Sequence, residues 1–301
     1  MPRNLPRTKL FLIRKIFGLA LVVLAMSFAG FGQTAAARVG SETAKGGFRN
    51  EDAIRDKFNA YKTDEDAQAW LRAMGYDPSK IVSLAATKPH GEKADVEVRI
   101  RLLNSPQRRG DAESEPGAIA TGAPATTLEC REGISIKLVS SNQGFNQIDK
   151  RWLEHYAKMW NMPADVVAAL KLFVGETPPT RPGRSTVRMF LDEIDPKLKD
   201  AVIKFFTENK AAIVSDLFAG DGEHSAGWVM VAFKPAEKTE WVLRSSQRTI
   251  EFYGEGDVAL TRGGNLKIGR VTMQRKGGDA GRETAKMLQF KINPVELFNA
   301  K

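Results

Sequence analysis

Two short runs of alternating side chains constrain this chain more than any other feature. Residues 93–100 (KADVEVRI) switch between apolar and polar at every position, and 134–139 (ISIKLV) do so as far as Leu138. Successive side chains on a strand point to opposite faces, so Ala94, Val96, Val98 and Ile100 share one face and Asp95, Glu97 and Arg99 the other. Ser135 and Lys137 likewise oppose Ile134, Ile136 and Leu138. If the two strands are neighbours and both bury their apolar faces, the polar faces meet and set an acid beside a lysine at a sheet edge. That is a site as well as a core. Residues 144–152 then read as the opening of a helix, continued by Tyr156 and Met159.

These residues resemble those of the PD-(D/E)xK nucleases, in particular bacterial type II restriction endonucleases. Lys93-Ala94-Asp95-Val96 matches the acidic strand, Ser135-Ile136-Lys137 the (D/E)xK strand, and 144–152 the run that follows it. The resemblance extends from about Phe48 to the C-terminus. It departs at two positions: Ala94 replaces the proline, and Ser135 stands where a carboxylate is usual, leaving Glu97 or a helix carboxylate such as Glu51 to supply the missing charge. The resemblance implies an α/β (α+β) fold, with a PD-(D/E)xK nuclease-like mixed central sheet flanked by helices and a C-terminal helix-plus-sheet subdomain. It implies Mg2+-dependent, sequence-specific hydrolysis of double-stranded DNA in a restriction-modification system. Asp95, Ser135 and Lys137 would be catalytic, with Asp95, Glu97 and Glu51 as metal ligands. It further implies a homodimer matched to a palindromic site, and a cognate DNA methyltransferase as a functional rather than physical partner.

Composition fits a folded protein, with 42% hydrophobic residues and 16 phenylalanines. The net charge of +9 points less strongly to nucleic acid than its size suggests, because residues 1–38 hold six basic side chains and no acid, leaving +3 for the remainder. Distribution is more informative than the total. Between Arg262 and Lys291 eight Lys and Arg face only Asp279 and Glu283, a segment suited to phosphates.

Residues 1–37 have the layout of a secretory signal: a basic stretch, an apolar run over 16–26, then Ala35, Ala36 and Ala37. This favours an exported or periplasmic protein, whereas the nuclease resemblance favours the cytoplasm and a translation start placed too far upstream. Cys130 is the single cysteine, which excludes an internal disulfide and a cysteine-cluster zinc site. His90, His155 and His224 show no ligand spacing.

Residues 38–48 read as a linker, and Asn50 as the cap of a helix with Glu51 and Asp52 in its first turn. Thr63 with Asp66 suggests a second helix start, stopped by Gly75. Residues 49–177 would form the nuclease core, interrupted over 104–127 by a disordered insert rich in Pro, Gly, Ala, Ser and Thr. The prolines at 178, 179 and 182 suggest a boundary, with a DNA-recognition subdomain over 178–301. There Asp195-Pro196 opens a helix, and residues 228–233, 241–243 and 249–253 read as strands.

Two groups suggest contacts with DNA. Asn146, Gln147, Lys150 and Arg151 would offer donors at a helix start, and Gln274, Arg275 and Lys276 would lie on a basic strand entering a glycine turn, with side chains suited to purine edges. Each group is also what a solvated surface presents. Gln274-x-Lys276 and Gln289-x-Lys291 are formal variants of the catalytic pair, but neither follows an acidic strand. Two other readings stay open: a non-catalytic nucleic-acid-binding protein, to which Ser135 lends weight, and an exported envelope-associated protein.

Overall fold

The computed structural model describes residues 35–89, 93–104, 126–235, 238–277 and 282–300, with backbone alone for 35–44, 104 and 126. The described residues from 43 onward belong to one compact unit, and 35–42 fall outside it. The signal-like segment lies outside the described residues except at its last three positions, and the insert likewise except at its ends. Among the described residues no helix is long and apolar enough to cross a membrane.

Helix α1 spans Ala35–Asn59. The linker read over 38–48 and the cap read at Asn50 are therefore corrected: the helix runs through both, its Ala, Glu and Lys residues being good helix formers that outweigh scattered glycines. Asn50 is buried inside it. Helix α2 (Glu65–Ala73) begins one residue later than the motif at Thr63 suggested. Asp64 is its cap and accepts from the Ala67 amide at 2.9 Å. Gly75, at φ 90°, ends it as expected.

The first sheet has the order β1-β2-β3-β5-β6, from β1 (Ile81–Thr87), β2 (Val96–Asn104), β3 (Thr126–Val139), β5 (Trp228–Phe233) and β6 (Glu240–Ser245). It is mixed, since β3 and β5 run parallel and the other pairs antiparallel. Asn104 pairs with Thr126, so the two strands on either side of the insert are spatial neighbours. Alternation divides the side chains as anticipated. Val96, Val98, Ile100, Ile134 and Ile136 pack on Ile54, Phe58, Trp70 and Leu71 of α1 and α2, while Val229, Val231 and Val242 enter a larger core on the other face. At the edge of the sheet, Asn59 on α1 exchanges hydrogen bonds with the backbone of Ala86 at 2.8 and 3.1 Å, occupying groups that a bare edge strand would leave open.

The second sheet, order β4-β10-β9-β8-β7, is antiparallel and consists of β4 (Asn146–Arg151), β7 (Val258–Leu260), β8 (Leu266–Ile268), β9 (Val271–Arg275) and β10 (Leu288–Ile292). Between the strands lie α3 (Leu153–Met159), α4 (Ala164–Val174), α5 (Pro196–Glu208), α6 (Lys210–Phe218) and α7 (Ser246–Gly254). Asp195 caps α5 by accepting from the Lys197 amide at 2.9 Å, as its Asp-Pro start suggested.

Three expectations are corrected here. Residues 146–151 form a strand rather than a helix start, because pairing with β10 satisfies their backbone; the helix begins at Leu153. Residues 249–253 are helical, held by the Ser245 cap, a short apolar run whose period alone does not separate strand from helix. The boundary at 178–183 also fails to separate the sheets: β5 and β6 complete the first, and β4 belongs to the second. Sheet pairing, which joins residues distant in sequence, overrides the local proline signal.

Candidate active site

Val96 opposite Ile134 sets the register that lays Asp95 against the Ser135–Lys137 strand. The Asp95 amide donates to the Ile134 carbonyl at 2.9 Å. One carboxylate oxygen, Oδ2, accepts from the Ile136 amide at 2.6 Å and the Ser135 hydroxyl at 3.4 Å. Lys137 Nζ stands 3.6 Å from that same oxygen and donates to Ser135 Oγ and the Ile136 carbonyl, both at 3.1 Å. The Asp95 side chain stays 27% exposed and that of Lys137 16%, enough for a substrate to reach either. The sheet has thus brought together the three residues expected at the reacting centre.

Glu51, on α1, pairs with Lys88 at 3.0 Å. Burial raises its carboxyl above the ordinary glutamate range; the Lys88 hydrogen bond opposes that rise, and the charge on Asp95 adds to it. Glu51 therefore senses the site electrostatically. Glu97 has a different environment. Its carboxylate is held by Arg131, by His224 at 2.8 Å and by Arg99 at 3.1 Å, and its side chain is 3% exposed. Burial disfavours its ionisation, but these three partners outweigh burial and hold the carboxyl below the usual range. Glu97 is consequently committed to a structural cluster, which weakens its assignment as a metal ligand. Among the described residues no three His, Cys, Asp or Glu side chains gather as a metal cluster.

An ion pair that sequence alone does not reveal lies two residues before Asp95. Lys93 donates to Asp149 of β4 and, at 2.9 Å, to the Leu217 carbonyl of α6. Asp149 also accepts from the Tyr156 hydroxyl and, at 3.1 Å, from Arg151. Burial opposes ionisation of Asp149, and Lys93 with its other partners overcomes it to lower the carboxyl. This contact ties the acidic strand to the second sheet. No periodic pattern marks it, because its partners lie 56 positions apart.

The two proposed DNA-contacting groups fall on that second sheet. Gln289 pairs with Lys150 on one side and Gln274 on the other, so these three form a row across β4, β10 and β9. Gln147 is exposed, whereas Asn146 donates to the Leu138 carbonyl at 2.9 Å and Arg151 is engaged by Asp149. Gln274, Arg275 and Lys276 line a cavity of about 440 Å3 with Arg188, Phe190, Gln289 and Lys291. Arg188 was missed in the sequence because it stands in a loop without periodicity. Gln289 and Lys291 had stood out only as a spurious catalytic pair.

Comparison with protein families finds that the sequence model of the R.HinP1I restriction endonuclease matches residues 126–298, more than half of the chain. The matched region contains Ser135, Lys137 and the whole second sheet but begins after Asp95. Comparison with curated proteins finds no match. Among solved structures, a crystal structure of the restriction endonuclease MspI in complex with its cognate DNA aligns with a TM-score of 0.49 and 10% identity, covering 80% of this chain and 83% of that one. The family match and the mixed α+β architecture agree with each other: the chain belongs to the R.HinP1I restriction endonuclease family and is a type II, site-specific DNA endonuclease.

Proposed function

We propose that this endonuclease hydrolyses double-stranded DNA with Mg2+, using Asp95, Lys137 and Ser135, within a restriction-modification system in the cytoplasm. The observation that carries this reading is the convergence of Asp95 and Lys137 across the β2–β3 pair. Asp95 and Glu51 supply hard oxygen donors suited to Mg2+, which commonly binds through one or two carboxylates and fills its remaining positions with water and phosphate oxygens. Mg2+ bound there would offset charge on the scissile phosphate and lower the pKa of a bound water.

The protein's own contribution is positional. The Ile136 amide fixes the Asp95 carboxylate, leaving its second oxygen, Oδ1, for the cation. Lys137, steered by Ser135 and the Ile136 carbonyl, presents an ammonium group to the attacking oxygen or to a phosphate oxygen as one P–O ester bond breaks. Ser135 offers a hydroxyl where the wider family has a carboxylate, so the second negative charge falls to Glu51. Gln274, Lys150 and Gln147 meet the duplex from the second sheet. A palindromic site would pair with a homodimer, and a methyltransferase of the same specificity would protect host DNA.

Unmethylated phage DNA incubated with the protein in Mg2+ or EDTA tests this reading. Discrete fragments with common end sequences in Mg2+, absent in EDTA, are expected. Salt-sensitive binding with intact DNA under every divalent metal would replace catalysis by a purely DNA-binding role.

A further inference from the structure

The cavity beside β9 and β10 contains more positive charge than its own acids offset. Arg188 and Arg275 both line it, and the Nε atom of each is buried without a hydrogen-bond partner. Arg275 pairs with the fully buried Leu288, so its side chain leaves the core face of the sheet before reaching the cavity. Arg188 lies over the Phe190 ring at 4.7 Å. Lys291 adds a third cation. The acid nearest in effect is Glu193, and it is already occupied, accepting from the Arg184 side chain at 3.0 Å and from the Arg184 and Phe190 amides, both at 2.8 Å. Burial and the neighbouring Arg275 push Arg188 down to about 10, and burial lowers Arg275 and Lys291 as well.

We propose that Arg188, Arg275 and Lys291 form a clamp for one backbone phosphate of the DNA, a contact that positions the duplex without reading its sequence. This rests on the nuclease reading above. A neutral base edge can accept from one guanidinium, but it cannot offset two desolvated guanidinium groups and an ammonium. A phosphate carries the missing charge and has oxygens for both arginine forks. Gln289 supports the wall by donating to the Arg275 carbonyl at 3.4 Å, and Gln274 is left to face a base. The clamp therefore separates two functions that adjoin in sequence: Gln274 specifies and Arg275 positions.

Arg188→Gln and Arg188→Ala test the clamp through binding of a mixed-sequence 20-base-pair duplex in EDTA across a salt series, together with digestion of phage DNA. The logarithm of the association constant should depend on log salt with a slope smaller by about one than that of wild type, with affinity near 0.1 M salt reduced about tenfold. The fragment pattern should be unchanged. The free variant should melt no lower than wild type, because relief of the repulsion from Arg275 offsets the Phe190 contact that is lost. New cleavage sites would convert Arg188 into a base reader, and an unchanged slope or a lower melting point would make it structural; each overturns the clamp. A wild-type protein that binds no duplex would overturn the nuclease reading and the clamp together, whereas wild-type binding with an unaltered slope in both variants overturns the clamp alone.

Discussion

Replacing Asp149 by Asn should cost this fold more than any surface change. The Lys93 side chain is 14% exposed and that of Asp149 8%, so removal of the carboxylate leaves an ammonium group in a nearly dry site. Breaking a buried pair by deleting one partner costs about 3–5 kcal/mol, most of it the desolvation of the charge left behind. At roughly 2–4 °C per kcal/mol for a domain of this size, Tm should fall by about 6–20 °C. Lys93→Met combined with Asp149→Leu removes both charges, and the double variant should recover most of the loss, ending within about 2 kcal/mol of wild type. Linkage fixes the pH dependence. Asp149 has a folded pKa below its unfolded value, so its contribution is complete above the unfolded pKa and is lost as pH falls through the folded one. The gap between wild type and Asp149→Asn should therefore narrow in acid. Urea unfolding followed by tryptophan fluorescence measures this, since Trp160 stacks on Tyr156 at 4.8 Å beside the pair. A single-variant loss under about 1 kcal/mol, or a double variant as unstable as the single, would refute the buried-charge argument.

Three further outcomes are expected. Glu51→Gln should raise the apparent Mg2+ requirement by about tenfold or more. In wild type, proton competition should raise the Mg2+ needed at a pH above the ordinary glutamate range, because burial raises the Glu51 carboxyl, and the variant should lose that part of the dependence in an activity titration. Glu97→Gln should leave the Mg2+ requirement intact yet lower stability by about 1–3 kcal/mol at neutral pH, an effect that fades as acid protonates the wild-type carboxyl; a changed Mg2+ dependence instead would restore Glu97 as a ligand. A side chain at Gly133, where a Cβ would stand 2.1 Å from the Ser225 carbonyl oxygen, should displace β3. Gly133→Val is expected to cost at least about 2 kcal/mol in urea unfolding, and an unchanged midpoint would contradict the close approach.

The convergence of Asp95, Ser135 and Lys137 was legible in the sequence because it depends on local alternation. Val96, Val98, Ile134 and Ile136 are apolar at every second position, and burying them leaves Asp95, Ser135 and Lys137 on the polar side. The pairing of β2 with β3 followed from the apolar faces, even across a long insert. Residues 146–151 were misread because their few apolar side chains suit a helix start or an edge strand equally, and only β10, more than 130 positions away, decides between them. The cluster around Lys93 and the clamp around Arg188 depend on the same kind of distant contact. The Pro-rich stretch near 178 lies in a loop between α4 and α5, but strands on either side of it cross into each other's sheet, so proline punctuation alone could not locate a boundary.

Single-turnover cleavage of a duplex carrying a site mapped from wild-type fragments tests whether Asp95 and Lys137 cut DNA together. Asp95→Asn and Lys137→Ala should each slow the rate at saturating Mg2+ by about 100-fold or more, with duplex affinity in EDTA within a few-fold of wild type. Cleavage at the wild-type rate by either folded variant would place the chemistry elsewhere in the chain.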